Sequence, residues 1–164
     1  MNFDTRQFRS ALGGFPTGVA VVTTRTAGGD PVGITINSFS SVSLEPPLVL
    51  WSLAVKSPSL AHFALGCRHV IHVLAHDQEP LAQRFASRIP GKFDGIVHAL
   101  NDNNIPLFDE CVATFDCITH ALHEEGDHII VIARVEQIDQ RERDPLLFCG
   151  GKFAVLDTAA SSLG

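Results

Sequence analysis

The sequence predicts a mainly β chain of the α+β class, built on an antiparallel barrel with short peripheral helices. Six or more segments are strand-length runs rich in β-branched and apolar residues. Most are joined by turn signals and not by regular helical crossovers, which argues against a doubly wound sheet. No GxGxxG fingerprint opens a helix after a strand, so any dinucleotide must be held outside a Rossmann crevice. With 164 residues, 45% hydrophobic and 18% charged, the chain is long enough for a full core, and one domain over residues 1–164 is expected.

The first element is a short helix. Asp4 stands where a cap is needed, Gln7 completes a capping box, Phe3 and Phe8 match a hydrophobic staple, and Gly13 and Gly14 end it. Residues 18–26 (GVAVVTTRT) and 32–37 form a predicted antiparallel pair about a Gly28-Gly29-Asp30-Pro31 turn. LVLWSL at 48–53 is a further strand, and Ser57 with Pro58 offers a cap and first turn for a helix ending at Gly66. After a strand at 69–74, Asp77, Pro80, Leu81 and Phe85 carry the cap, first turn and apolar stripe of a second helix. Residues 89–108 read as a long loop. Two strands, 111–123 and 128–139, join across 124–127, and 146–156 is a last strand or edge.

Charge and composition narrow the function classes. A net charge of -6 with scattered basic residues opposes nucleic acid, whose binders gather Lys and Arg into a patch. No apolar run approaches the roughly 20 residues of a membrane span and no leader is evident, so a cytoplasmic chain without membrane contact is expected. Cys67, Cys111, Cys117 and Cys149 form no CxxC pair and suggest a reducing compartment. His69, His72 and His76 cluster, as do His120, His123 and His128. On a strand, however, His69 and His72 point to opposite faces, and no HExxH pattern is present, so no metal is expected.

The densest polar stretch is GITINSFSSVSLEPPLVL at 33–50, where Thr35, Asn37, Ser38, Ser40, Ser41 and Ser43 follow a strand. Short hydroxyls, an amide and free backbone N–H groups suit an oxygen-rich ligand. The same residues also suit a turn that bonds its own backbone.

This stretch resembles the short flavin reductase family, the reductase components of two-component flavin monooxygenases. The likeness runs through FRSALGGFPTGVAVVTT at 8–24, the polar stretch, VKSPS at 55–59, HVLAHDQEPLAQRFA at 72–86, Lys92-Phe93, EGDHIIVIARV at 125–135 and DPLLF at 144–148. It implies a split barrel of the FMN-binding type, a homodimer, FMN or FAD as the bound flavin, NADH or NADPH as hydride donor, and a separate oxygenase component as partner. By the same match, Thr35, Ile36, Asn37, Ser38, Ser41, Val42 and Ser43 would line the ring and ribityl part, and Ala54, Lys56 and Ser57 would hold the phosphate. An ammonium beside hydroxyls is chemically suited to a phosphate, although Lys56 alone also reads as a solvated loop lysine. Arg84, Phe85 and Phe93 match the region around the outer part of the flavin. There an aromatic ring would stack on adenine if the ligand is FAD, while Phe85 equally suits the core end of a helix stripe with Leu81. His128 matches the histidine beside the flavin ring and is the expected nicotinamide-positioning residue. Pro16 and Thr17 are expected to approach the same cavity, unless FPTG is simply a rigid turn.

The sequence also departs from the family. Cys149, Gly150, Gly151, Lys152 and Phe153 stand where tyrosines and an arginine are usual, and His69 and His72 replace Phe and Asn. The implied function is hydride transfer to flavin, which needs two oriented rings and no protein nucleophile. The alternative is a non-catalytic flavin carrier on the same barrel.

Overall fold

The computed structural model describes residues 2–156. Helix α1 (Thr5–Gly13) begins as the capping box requires. Gln7 N–H donates to Asp4 Oδ1 at 2.7 Å, Asp4 N–H donates to Gln7 Oε1 at 2.9 Å, and the Phe3 and Phe8 rings lie 5.6 Å apart. None of its residues is buried.

The predicted first strand is two pieces, β1 (Thr17–Gly18) and β2 (Ala20–Arg25), because Val19 changes partners between sheets. Its N–H donates to Leu146, and its carbonyl accepts from Leu74. β2 pairs with β3 (Pro31–Ile36) around the predicted turn. β4 (Ser40–Leu44), which the sequence analysis treats only as a polar stretch, is an edge strand on β5 (Pro47–Ala54), bulged between Ser41 and Ser43. The expected helix before Gly66 is a single 3₁₀ turn, Leu60–Phe63. Its apolar residues are three apart, the spacing of that tighter coil, and Phe63 is fully buried.

β6 (Arg68–Val73) leads to α2 (Glu79–Ala86). Asp77 does not cap α2 as expected: Gln78 occupies the cap position, and Asp77 pairs with Arg143 at 2.6 Å. The long loop contains a short ladder of β7 (Ala99–Leu100) and β8 (Pro106–Leu107). β9 (Ala113–Glu125) and β10 (His128–Gln140) form the longest hairpin, and the final segment is a hairpin of β11 (Leu146–Cys149) and β12 (Lys152–Val155). Among the described residues the sheets run β3-β2-β6-β9-β10-β5-β4, β1-β11-β12 and β7-β8. Every paired strand is antiparallel to its neighbour.

Two cores meet across β2. Ala20 and Val22 face Trp51, Phe63, Ile71 and Val131, whereas Val19 and Val21 face Leu74, Phe85, Phe108 and Leu146. A strand buried on both faces reads as an unbroken apolar run, which is why 18–26 does not alternate. The two unusual histidines occupy opposite faces of β6. His69 lies edge-on to Trp51 and Phe63, and His72 packs 5.0 Å from Phe108. Burial pushes both down from 6.5 to about 4, so each is neutral.

Candidate functional site

A cleft of about 1100 Å³ opens where the ends of β3 and β5 meet the β9–β10 tip and the segment after α2. That volume suits a cofactor-sized ligand. Its first wall carries residues 35–38, Ser52 and Ala54, then Lys56, Ser57 and Ser59. Its second carries Phe85, Ser87, Arg88, Ile89, Lys92 and Phe93, and His128 stands at the hairpin tip.

Backbone pairing fixes the first wall. His128 is in register with Ala54, and Val55 N–H donates to Asp127 O at 3.0 Å, so the Lys56 loop hangs from the β9–β10 tip. Gly126 turns that tip with φ +65°, a conformation glycine adopts freely. Ser57 Oγ accepts from Ser59 N–H at 3.3 Å, folding the loop back. Lys56 and Asn37 are exposed, and neither side chain has a protein partner among the described residues.

The second wall is held by cations that bind backbone. Arg84 donates from Nε to Lys92 O at 2.9 Å, and from Nη2 to Gly91 O at 3.1 Å and Asp94 O at 2.9 Å. Lys92 Nζ donates to Phe85 O at 2.8 Å, satisfying a carbonyl at the C-terminal end of α2, and its partial burial lowers its pKa. Gly33 allows the contact between the walls. A Cβ there would lie 2.5 Å from Cδ1 and Cε1 of Phe85 and 3.2 Å from Cζ of Phe93.

The structure therefore brings together Thr35, Ile36, Asn37, Ser38, Ala54, Lys56, Ser57, Phe85, Phe93 and His128 around one cleft. Several have side chains already engaged. Thr35 Oγ1 donates to Ala82 O at 2.7 Å and docks α2 on β3, Ser38 Oγ accepts from Ser52 N–H at 2.9 Å, and Ile36 belongs to the barrel core. Phe85 is 1% exposed, so the core alternative describes its side chain, with Phe93 4.8 Å away. Arg84 clamps the loop from behind the cleft lining.

Ser41, Val42 and Ser43 lie on edge strand β4, outside this lining. Pro16 and Thr17 also lie outside it. Thr17 pairs with Phe148 in the small sheet, and its buried hydroxyl has no partner among the described residues. Ser59, Arg88 and Asp127 are further polar residues at or beside this cleft that were not among the sequence-predicted site residues. Asp127 Oδ1 lies 2.7 Å from His128 Nδ1, a contact signalled by the Asp-His dipeptide itself. Arg88 sits in an irregular stretch where periodicity gives no signal.

Comparison with known proteins identifies the family to which this fold belongs. The chain is 45% identical over 150 residues to an FMN reductase (NADH) of Agrobacterium fabrum, covering 92% of this chain and 85% of that one. It is 38% identical over 155 residues to the reductase subunit of a flavin-dependent monooxygenase of Rhodococcus jostii, covering 94% and 79%. The fold superposes with a TM-score of 0.89 on an NADH:FAD oxidoreductase of Streptomyces globisporus solved with NAD and FAD fragments, at 37% identity and covering 96% of this chain and 95% of that one. With residues 12–157 matching the flavin reductase like domain as well, the split barrel is the fold of that family, and the chain belongs to it.

Proposed function

We propose that this chain transfers a hydride from NADH or NADPH to FMN or FAD and supplies the reduced flavin to a separate monooxygenase component. The observation that carries this reading is one cleft lined by an ammonium and an amide, neither with a side-chain partner among the described residues, and by a half-exposed imidazole, all at or just beyond strand ends. The donor set fits a flavin: Asn37 and the backbone of 35–38 suit the ring edge and ribityl oxygens, and Lys56 suits a phosphate. Ser57 contributes its place in the Lys56 loop, and Phe93 offers the aromatic surface that Phe85, sealed in the core, does not. A bound flavin supplies the hydride acceptor, and the protein holds the two rings in order. His128 orients the nicotinamide.

A homodimer fits the surface. Phe8 and Leu12 of α1 are 52% and 58% exposed, and Leu44 on edge strand β4 is 94% exposed, apolar area that a second copy would cover. Pro16, Thr17 and residues 41–43 would then act at the interface and not in the cleft of their own chain. The same reading places the chain in the cytoplasm, where the nicotinamide and an oxygenase component would be available to it.

Steady-state oxidation of NADH and NADPH, with FMN, FAD and riboflavin varied as acceptors, tests the proposal. Flavin-dependent turnover is expected. Tight flavin binding without nicotinamide oxidation would overturn it in favour of a carrier.

A further inference from the structure

The acid–imidazole contact at the β9–β10 tip has geometry that its surroundings make specific. His128 Nδ1 and Asp127 Oδ1 are 2.7 Å apart. An ionised carboxylate only accepts, so Nδ1 carries the proton. The hydrogen bond from His128 holds the Asp127 carboxyl below the usual carboxylate range and keeps it ionised. A neutral imidazole has one N–H, which leaves Nε2 as a bare lone pair on a ring that lines the cleft.

The Asp127 backbone is fixed by its carbonyl bond to Val55 N–H and by the register of His128 with Ala54. Its side chain, by contrast, is 94% exposed, and besides His128 only the charge of Lys56 and its own backbone N–H act on it among the described residues. An ion pair so exposed contributes little to folding. What it does set is which nitrogen of His128 bears the proton.

We infer that Asp127 is a positioning residue for hydride transfer: it holds His128 in the Nδ1–H tautomer, so that Nε2 accepts from the carboxamide N–H of the nicotinamide. The inference rests on the proposed reading of His128. The opposite tautomer would present an N–H, which pairs with the carboxamide oxygen and so favours the rotated amide; the tautomer thus selects the carboxamide orientation.

The test is the ¹⁵N spectrum of the imidazole nitrogens at about pH 8, with the His128 signals assigned by their loss in His128→Ala, recorded beside flavin titrations and stopped-flow reduction by NADH. Wild type is expected to show a protonated Nδ1 and a bare Nε2. Asp127→Ala is expected to move the proton toward Nε2 and to slow reduction or raise the NADH requirement roughly tenfold, at unchanged affinity for riboflavin, which lacks the phosphate that Lys56 serves. Asp127→Asn, whose amide oxygen still accepts from Nδ1–H, is expected to recover most of both. A wild-type proton on Nε2, or an Asp127→Ala protein with unchanged tautomer or unchanged reduction, overturns the inference. If His128→Ala itself reduces flavin normally, the underlying reading of His128 falls; if only Asp127→Ala is normal, this inference falls alone.

Discussion

Mild acid should destabilise this barrel before most of its carboxylates are protonated, because two neutral histidines are sealed inside it. His69 accepts from Trp51 Nε1 at 3.4 Å, and His72 meets Val21 O through Nδ1 at 3.1 Å, with Nε2 buried and unpartnered among the described residues. A second proton on either ring would face an indole N–H or an apolar wall. Both pKa values are lowered from 6.5 to about 4, so between those values the unfolded chain binds more protons than the folded one. Stability is therefore complete above about 6.5, falls as pH drops toward about 4, and loses nothing further from these groups below that. Linkage gives about 2 kcal/mol per histidine between about pH 7.5 and about pH 5, or about 4 kcal/mol for the pair. That is a large part of a typical stability of about 5–15 kcal/mol.

The perturbation is His69→Phe, which keeps the edge-on ring contacts but leaves the Trp51 N–H without its acceptor. It should cost about 1–3 kcal/mol near neutrality. Urea unfolding at the two pH values gives the comparison, and carboxylate titrations common to both proteins cancel. The variant should lose about 2 kcal/mol less than wild type on acidification, bringing the two stabilities together near about pH 5. An equal acid loss in both would show that His69 titrates in the fold as it does in the unfolded chain, and the reasoning would fail.

Lys56→Ala should weaken FMN and FAD by about 1.5–3 kcal/mol, the range of a hydrogen bond to a charged group, and leave riboflavin unchanged. Fluorescence titration with all three flavins checks it, and equal losses would remove Lys56 from the phosphate. Gly33→Ala should destabilise by about 1–3 kcal/mol, because the new methyl meets the Phe85 ring, and thermal melts should show a drop of several degrees. A melt within error of wild type would mean that Phe85 yields without cost. Arg84→Gln should release the carbonyls of Gly91, Lys92 and Asp94. Hydrogen exchange at 87–94 should accelerate roughly tenfold while the barrel amides are unaffected.

Much of the barrel was legible because its signals are local. The Asp4–Gln7 capping box, the turn at residues 28–31 and the paired runs of β9 and β10 each carry their own chemistry. What stayed hidden depends on tertiary neighbours. β4 has no apolar alternation, since it is exposed at every position except Ser43, and its hydroxyls read as ligand donors. Asp77 has the right side chain for a cap, but its carboxylate pairs instead with Arg143, distant in sequence. The cleft was legible as a set of polar residues, yet not in its division of labour. Nothing local reveals that the Thr35 hydroxyl docks a helix or that Phe85 lies against Gly33. The sequence places His69 and His72 on opposite faces of one strand, but nothing local reveals that each face is packed with aromatic rings.

The second wall of the cleft separates architecture from recognition. Arg84 and Lys92 direct their N–H groups to main-chain carbonyls, contacts indifferent to what the cleft contains. Lys56 and Arg88 have no such obligations among the described residues. Charge toward a ligand can thus be added, removed or reversed at two positions without loosening the segment that shapes the cleft. A lineage changing its preferred flavin or nicotinamide would therefore meet little resistance from stability at those positions, and an engineer seeking a new electron acceptor has the same two points of entry.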